Sequence, residues 1–321
     1  MYRETKHILL AALIAGALNV HAETAVAPAA SVQVDNLAGK SFPNPDEAAK
    51  ALLEAVSQDD NGLLLALFSQ QDVALLSSGD AVEDKNNRTD FVNLAQQKLQ
   101  VEKVADDKAI IHVGNDDWPF PIPLIKKADS WQFDPVQGRQ EIVNRRIGRN
   151  ELNTVAAMIG YMEAQFDYAN ADRDEDDVIE YAQKLQSEPG KFDGLFWETE
   201  EGDTPSPLGP LIAEARADGY KIAGESLAPI PYHGYYYRIL TRQGKNAPGG
   251  QYDYIINGNM IAGFGLLAFP VQYGASGIMT FVMNHQGKIY QKDLGSKTAE
   301  VVQKIKDYNP DATWEVFQAS E

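Results

Sequence analysis

QGRQEIVNRRIGRNELNTVAAMIGYMEAQFDYA, residues 137–169, carries most of what the chain says about its architecture. Ile142, Val143, Ile147, Leu152, Val155, Ile159, Met162 and Phe166 recur near the helical period of about 3.6, so the stretch reads as one helix with an apolar stripe. At ~1.5 Å per residue it would reach about 50 Å. Such a helix outruns a single small core and is expected to connect two. The basic side chains Arg139, Arg145, Arg146 and Arg149 fall largely off the stripe. Gly148 and Asn150 are poor helix formers and predict a bend or break, which places a domain boundary near Arg149.

Upstream, Pro43, Pro45 and Asp46 open a helix that runs to Ala55, a second covers 61–68, and a third covers 88–99. Strand-like runs follow at 109–113, 122–126 and 130–133. Helices followed by a short antiparallel sheet whose last strand carries Trp131 and Phe133 resemble a reduced cystatin-like or nuclear-transport-factor-like cone. Downstream, 178–185 reads as a short helix and 207–218 as a clearer one, ending at Gly219 in the manner of a C-cap glycine. Strands are expected at 235–241, 260–269, 278–284 and 288–292, with His285-Gln286-Gly287 as the last turn, then a final helical stretch at 299–306. The predicted fold class is α+β. It comprises an N-terminal helical and antiparallel-sheet domain (41–149), the long connecting helix, and a C-terminal domain (150–321) of a helix packed on an antiparallel sheet.

Residues 1–22 read as a secretory signal peptide, because Arg3, Lys6 and His7 precede an apolar stretch and Val20-His21-Ala22 offers a cleavage site. Residues 23–40, rich in Ala, Val and Ser without periodicity, are expected to be a flexible leader. The apolar stretch is shorter than the ~20 residues a bilayer span takes, so a soluble periplasmic or secreted protein with no membrane span after cleavage is expected. The chain has no cysteine, which excludes disulfides, thiolate metal sites and a Cys nucleophile. A net charge of −18 repels phosphate backbones and anionic membranes, so nucleic acid is not an expected partner; it favours cations and basic partners, against the alternative of solubility alone, since net charge away from zero is ordinary for soluble domains.

The acidic run at 172–180, DRDEDDVIE, suggests chemistry more directly than any other segment. In a calcium-loop register Asp172, Asp174 and Asp176 take positions one, three and five, the Val178 carbonyl seven, Glu180 nine and Gln183 twelve. Asp177 stands where the tight turn wants Gly, and Gln183 where a bidentate Glu is usual; Glu175 or Glu180 would supply the missing carboxylate. Calcium bound there would be structural, since an ion enclosed by protein oxygens has little room to activate water. The alternative is a solvated acidic turn whose charge favours the N-terminus of a following helix.

Past residue 22 the histidines are His112, His233 and His285, widely separated and without metal-ligand spacing. Ser276, His285 and Asp253 are the residue types of a hydrolytic triad, but no G-x-S-x-G precedes a helix. The segment 244–250 is glycine-rich without the order of a phosphate loop. Tyr235 and Tyr237 share one strand face. With Tyr252 and Tyr254 they form a candidate contact surface for an envelope protein or glycan, against the alternative of ordinary sheet packing.

The strings Asp116-Asp117-Trp118-Pro119-Phe120-Pro121-Ile122-Pro123, Asn144-Arg145-Arg146-Ile147-Gly148-Arg149-Asn150-Glu151-Leu152, Gly234-Tyr235-Tyr236-Tyr237-Arg238-Ile239-Leu240 and Met279-Thr280-Phe281-Val282-Met283-Asn284-His285 resemble exported bacterial proteins catalogued as domain of unknown function 2950. The resemblance covers nearly the whole chain after residue 22 and implies export, but no activity. A fainter likeness rests on the order of long helix, acidic segment, Gly219-Tyr220-Lys221-Ile222 and closing strands through Lys288-Ile289-Tyr290, which is similar to the heads of type IV pilins and type II secretion pseudopilins. It implies a helix packed on an antiparallel sheet, with calcium held in a loop in some heads. A domain precedes the helix here instead of a prepilin cleavage site. The expected function is a non-catalytic periplasmic binding or assembly module of the cell envelope, stabilised by calcium; the competing expectation is a cell-envelope hydrolase using carboxylates and a histidine.

Overall fold

Asn44 starts the first helix, α1 (Pro45–Ser57): its side-chain oxygen accepts the Glu47 N–H at 2.9 Å, and Pro45 occupies a first-turn position that needs no N–H partner. The computed structural model describes residues 39–68, 80–173, 175–199, 202, 204–220 and 231–318. The expected signal peptide and all but the last two residues of the expected leader lie outside the described residues, as does Asp174. Contacts group the described residues as one compact unit.

Helix α1 buries Ala48, Ala49, Leu52, Ala55 and Val56, and α2 (Asn61–Phe68) adds Leu64, Leu67 and Phe68. The next described helix, α3 (Ala81–Gln97), begins earlier than 88, because Asp80 Oδ1 accepts the N–H groups of Val82 and Glu83, both at 3.1 Å. Leu99 opens strand β1 (Leu99–Ala105), which sequence alone did not reveal. Strands β2 (Lys108–Val113), β3 (Trp118–Pro119), β4 (Leu124–Lys127) and β5 (Ser130–Phe133) complete an antiparallel sheet of order β1-β2-β4-β5, with β3 on β2. The three helices cover the face bearing Ala109, Ile111, Val113, Leu124, Trp131 and Phe133, which is the first apolar core.

Asp134 then caps α4 (Pro135–Tyr168), an uninterrupted helix of 34 residues. No break occurs at Gly148 or Asn150. The Asn150 amide donates to the Ser276 carbonyl at 2.9 Å and so does not compete for its own helix's hydrogen bonds. Ile142 lies against the first core; Val155, Met158, Tyr161, Ala164 and Tyr168 belong to the second.

The short helix expected at 178–185 does not form. Its main-chain groups are paired elsewhere: Tyr181 N–H donates to Met260 O (2.9 Å), Ala182 N–H to Gln165 Oε1 (2.9 Å), and Lys184 O accepts Leu195 N–H (3.0 Å). After α5 (Gly209–Ala217) come β6 (Tyr235–Leu240), β7 (Arg242–Gln243), β8 (Tyr252–Asp253), β9 (Ile255–Ile256), β10 (Asn259–Met260), β11 (Gly265–Pro270), β12 (Met279–Asn284), β13 (Tyr290–Asp293), α6 (Thr298–Val301) and β14 (Glu315–Val316). The strand expected at 260–269 is split between β10 and β11 by Gly263 at φ +138°, where an added Cβ would lie 2.4 Å from His285 Nδ1. Strands β14-β13-β12-β11-β6 form one antiparallel sheet in that order. One face carries Tyr235, Leu266, Ala268, Phe281 and Met283 into the core shared with α4; the other carries Leu240, Leu267 and Val282 against Val302 and Tyr308. Helices and antiparallel sheets together make the fold α+β.

Candidate functional site

The acidic run leaves α4 as an irregular loop with Glu175 and Asp177 at positive φ (63° and 67°). Asp172 organises it: Oδ1 accepts the N–H groups of Glu175 (2.9 Å) and Asp176 (3.3 Å), and Oδ2 that of Asp177 (2.9 Å). Asp176 accepts from its neighbour Val178 N–H (2.8 Å) and from Asn259 Nδ2 (2.9 Å). Glu180 Oε2 accepts Met260 N–H at 2.7 Å, and Gln183 Nε2 donates to Gly258 O at 2.6 Å. Three of the residues read as calcium ligands therefore fasten the loop to the ribbon of β9 and β10. Among the described residues no group of three or more His, Asp or Glu side chains is placed to hold a metal ion.

Beside this loop, α4 turns an apolar edge outward. Leu152, Ile159 and Phe166 are 39%, 41% and 43% exposed, at a spacing of seven residues that keeps them on one side of the helix. The Phe166 ring meets Tyr181 (6.2 Å) and Phe264 (5.5 Å), so the edge continues into the segment that carries exposed Ile179 and Ile261. Glu163 and Asp167 flank it and are exposed.

The string 144–151 holds a polar junction whose roles were not legible in sequence. Arg145 donates to Pro119 O (2.9 Å) and places its guanidinium 4.9 Å from the Trp118 ring centroid. Arg149 donates through Nε and Nη2 to Glu83 Oε1 (3.1 and 2.8 Å), while Glu83 Oε2 is buried without a hydrogen-bond partner. Burial pushes the Glu83 carboxyl up, and Arg149 opposes that. Glu151 Oε1 accepts the N–H groups of Ile278 and Met279, both at 2.9 Å. Tyr220 O–H donates to Asp80 Oδ2 at 2.7 Å, and its ring lies against Tyr232 and His233. One polar face of α4 thus ties α3 to the loops around β6 and β12.

The expected tyrosine surface is corrected. Tyr235 and Tyr254 are fully buried; Tyr235 donates to Met279 O (2.9 Å) and Tyr254 to Gln243 Oε1 (3.0 Å), and burial pushes the Tyr254 hydroxyl up to about 12. Tyr237 is half-buried on the α4 side of the sheet, and Tyr252 is half-buried with its ring 5.6 Å from that of Tyr254. Ordinary sheet packing accounts for them. Ser276 and His285 lie beyond opposite ends of β12, a strand of six residues and so about 20 Å long, which keeps Ser276, His285 and Asp253 from acting as a triad. Ser276 Oγ is held instead by Gln272, accepting its N–H at 3.0 Å. His285 sits against the rings of Tyr254 and Phe264, and burial lowers its pKa.

The described residues thus define an α+β protein with an outward apolar helix edge beside an acidic loop. Residues 39–317 match the family described as Protein of unknown function (DUF2950), and the chain belongs to that family. Comparison with curated proteins and with solved structures gave no match. Among the described residues no helix is long and apolar enough to cross a membrane.

Proposed function

We propose that this protein is a non-catalytic binding or assembly module of the cell envelope, exported to the periplasm by its first 22 residues, whose contact surface is the outer edge of α4. The observation that carries the reading is the exposed row Leu152, Ile159 and Phe166. Its seven-residue spacing matches the side of a second helix lying along α4, over roughly 21 Å at ~1.5 Å per residue. The acidic loop at the end of that row, together with Glu163 and Asp167 and a net charge of −18, selects a partner whose helix is basic as well as apolar. A second copy of this chain would meet the same negative charge. With Tyr235 and Tyr254 in the core, the partner is taken to be a protein and not a glycan. A helix on an antiparallel sheet also supports the likeness to pilin heads at the level of architecture.

Calcium belongs to this reading as a structural ligand of the acidic loop, supported by six carboxylates within residues 172–180. Its part would be to hold the loop beside the row, and the partner's cationic side chains would meet the remaining charge.

The test is a fluorescence titration with a synthetic leucine–lysine amphipathic helical peptide. A contact of this small size is expected in the micromolar range and to weaken with salt. Ile159→Asp should weaken it at least tenfold, and Ile159 is exposed enough that the fold tolerates the change. Equal affinity in wild type and Ile159→Asp would exclude this surface.

A further inference from the structure

Strand β6 ends the order of its sheet, and where it runs on toward β7 a cleft of about 440 Å³ opens, lined by Arg238, Arg242, Lys306, Asp253, Ile239 and Ile255 among others. That volume is ordinary for a small-molecule site, which runs to ~300–1,000 Å³. Its charge is not ordinary for this chain. Arg238 Nη2 donates to the carbonyls of Val302 and Ile305 (2.7 Å to the latter), its Nε is buried without a partner, and no carboxylate pairs with it among the described residues. Lys306 is exposed and has no hydrogen-bonded or ion-paired partner among the described residues. Arg242 donates through Nε to Asp307 and stands opposite Asp253 across the β7–β8 ribbon, leaving the rest of its fork unassigned. Three cations against two carboxylates give a locally positive hollow on a protein of net charge −18. A cation held partly out of water without a counter-charge is costly, and an anion in the hollow offsets that cost.

We propose that this cleft binds a small organic oxyanion, a molecule bearing a carboxylate or phosphate group, through Arg242 and Lys306, with its apolar part against Ile239 and Ile255. The Arg242 fork can meet two oxygens at once, and Lys306 adds a mobile point charge. Asp253 at the rim accepts a hydroxyl or ammonium of the same ligand. The site is separate from the α4 edge and stands or falls independently of it.

The experiment is calorimetric titration of the full chain with inorganic phosphate and, separately, with acetate, at an ionic strength fixed by sodium chloride. At least one anion should give saturable heat at millimolar concentration. Lys306→Gln and Arg242→Gln should each weaken it tenfold or more, and Lys126→Gln, on β4, should leave it unchanged. Binding of phosphate alone assigns a phosphate-bearing ligand, of acetate alone a carboxylate. No saturable heat from either anion, or heat unchanged in Lys306→Gln, overturns the proposal; Lys306 is exposed and makes no hydrogen bond or ion pair among the described residues, so loss of structure would not explain its effect.

Discussion

Gln165 is predicted to be the side chain on which the position of the acidic loop depends. It is fully buried on α4 and treats Ala182 as a neighbouring strand would: Oε1 accepts the Ala182 N–H and Nε2 donates to the Ala182 carbonyl, both at 2.9 Å, and Nε2 also reaches Tyr161 Oη at 2.9 Å. Gln165→Ala leaves both main-chain groups of Ala182 in the core without partners. At ~1–3 kcal/mol for each unsatisfied buried group, the loss is about 4 kcal/mol, a large part of the ~5–15 kcal/mol that a domain has. Urea unfolding with an unchanged m-value should show it, and exchange of the Ala182 amide should quicken ahead of global unfolding. Gln165→Glu supplies a sharper control. Its carboxylate keeps the acceptor for Ala182 N–H but turns an oxygen toward the Ala182 carbonyl, whereas the protonated acid restores the donor. The folded-state pKa of that Glu is then raised above its unfolded value, so its stabilisation is present below the unfolded value of ~4.3 and is lost as pH rises through the folded one. A Gln165→Ala loss under ~1 kcal/mol, or a Gln165→Glu variant whose stability relative to Gln165→Ala does not change with pH, would refute the pairing.

Calorimetry with calcium is expected to show binding at millimolar or lower concentration that Asp172→Ala removes, since Asp172 organises the loop through three N–H bonds; absence of calcium heat in the wild type ends that proposal. Gly234→Ala should lower stability by about 3 kcal/mol, because φ is +72° and the new Cβ would lie 2.4 Å from Nδ2 of the fully buried Asn150; a thermal midpoint unchanged from wild type would contradict it. His233 has its pKa lowered, mainly by burial and against the opposing pull of Asp218, Asp80 and Glu214. Its contribution is therefore present above the unfolded value of 6.5 and is lost as pH falls through the lower folded value, so His233→Asn should flatten the fall in urea midpoint between about pH 7 and about pH 5. An equally steep fall in the variant would count against it.

What sequence could see depended on whether a residue's partners were local. Helix α4 was legible because its apolar side chains repeat at the helical period, and the strands at 235–241 and 278–284 because they are apolar runs bounded by turns. Strand β1 was not, since Leu99–Ala105 is mostly exposed and shows no buried rhythm. The segment 178–185 has helix-like spacing, yet Met260, Gln165 and Leu195 hold its main chain, and none of these is near in sequence. The burial of Tyr235 and Tyr254 is not legible, because strand alternation shows which residues share a face but not which face is covered. The string 144–151 stands out as unusual, but its partners Glu83, Pro119, and Ser276 with Ile278 come from three separate segments. The cationic cleft was invisible for the same reason, as Lys306 lies far along the chain from Arg238 and Arg242.

The binding surface itself is tested most directly by mapping amide chemical shifts as the leucine–lysine peptide is added to the isotopically labelled chain. Shifts should gather at Leu152, Ile159, Phe166 and the loop 172–180, shrink as salt is raised, and vanish in Ile159→Asp. Shifts centred on the first sheet, or a peptide at millimolar concentration that moves no resonance along α4, would contradict binding there.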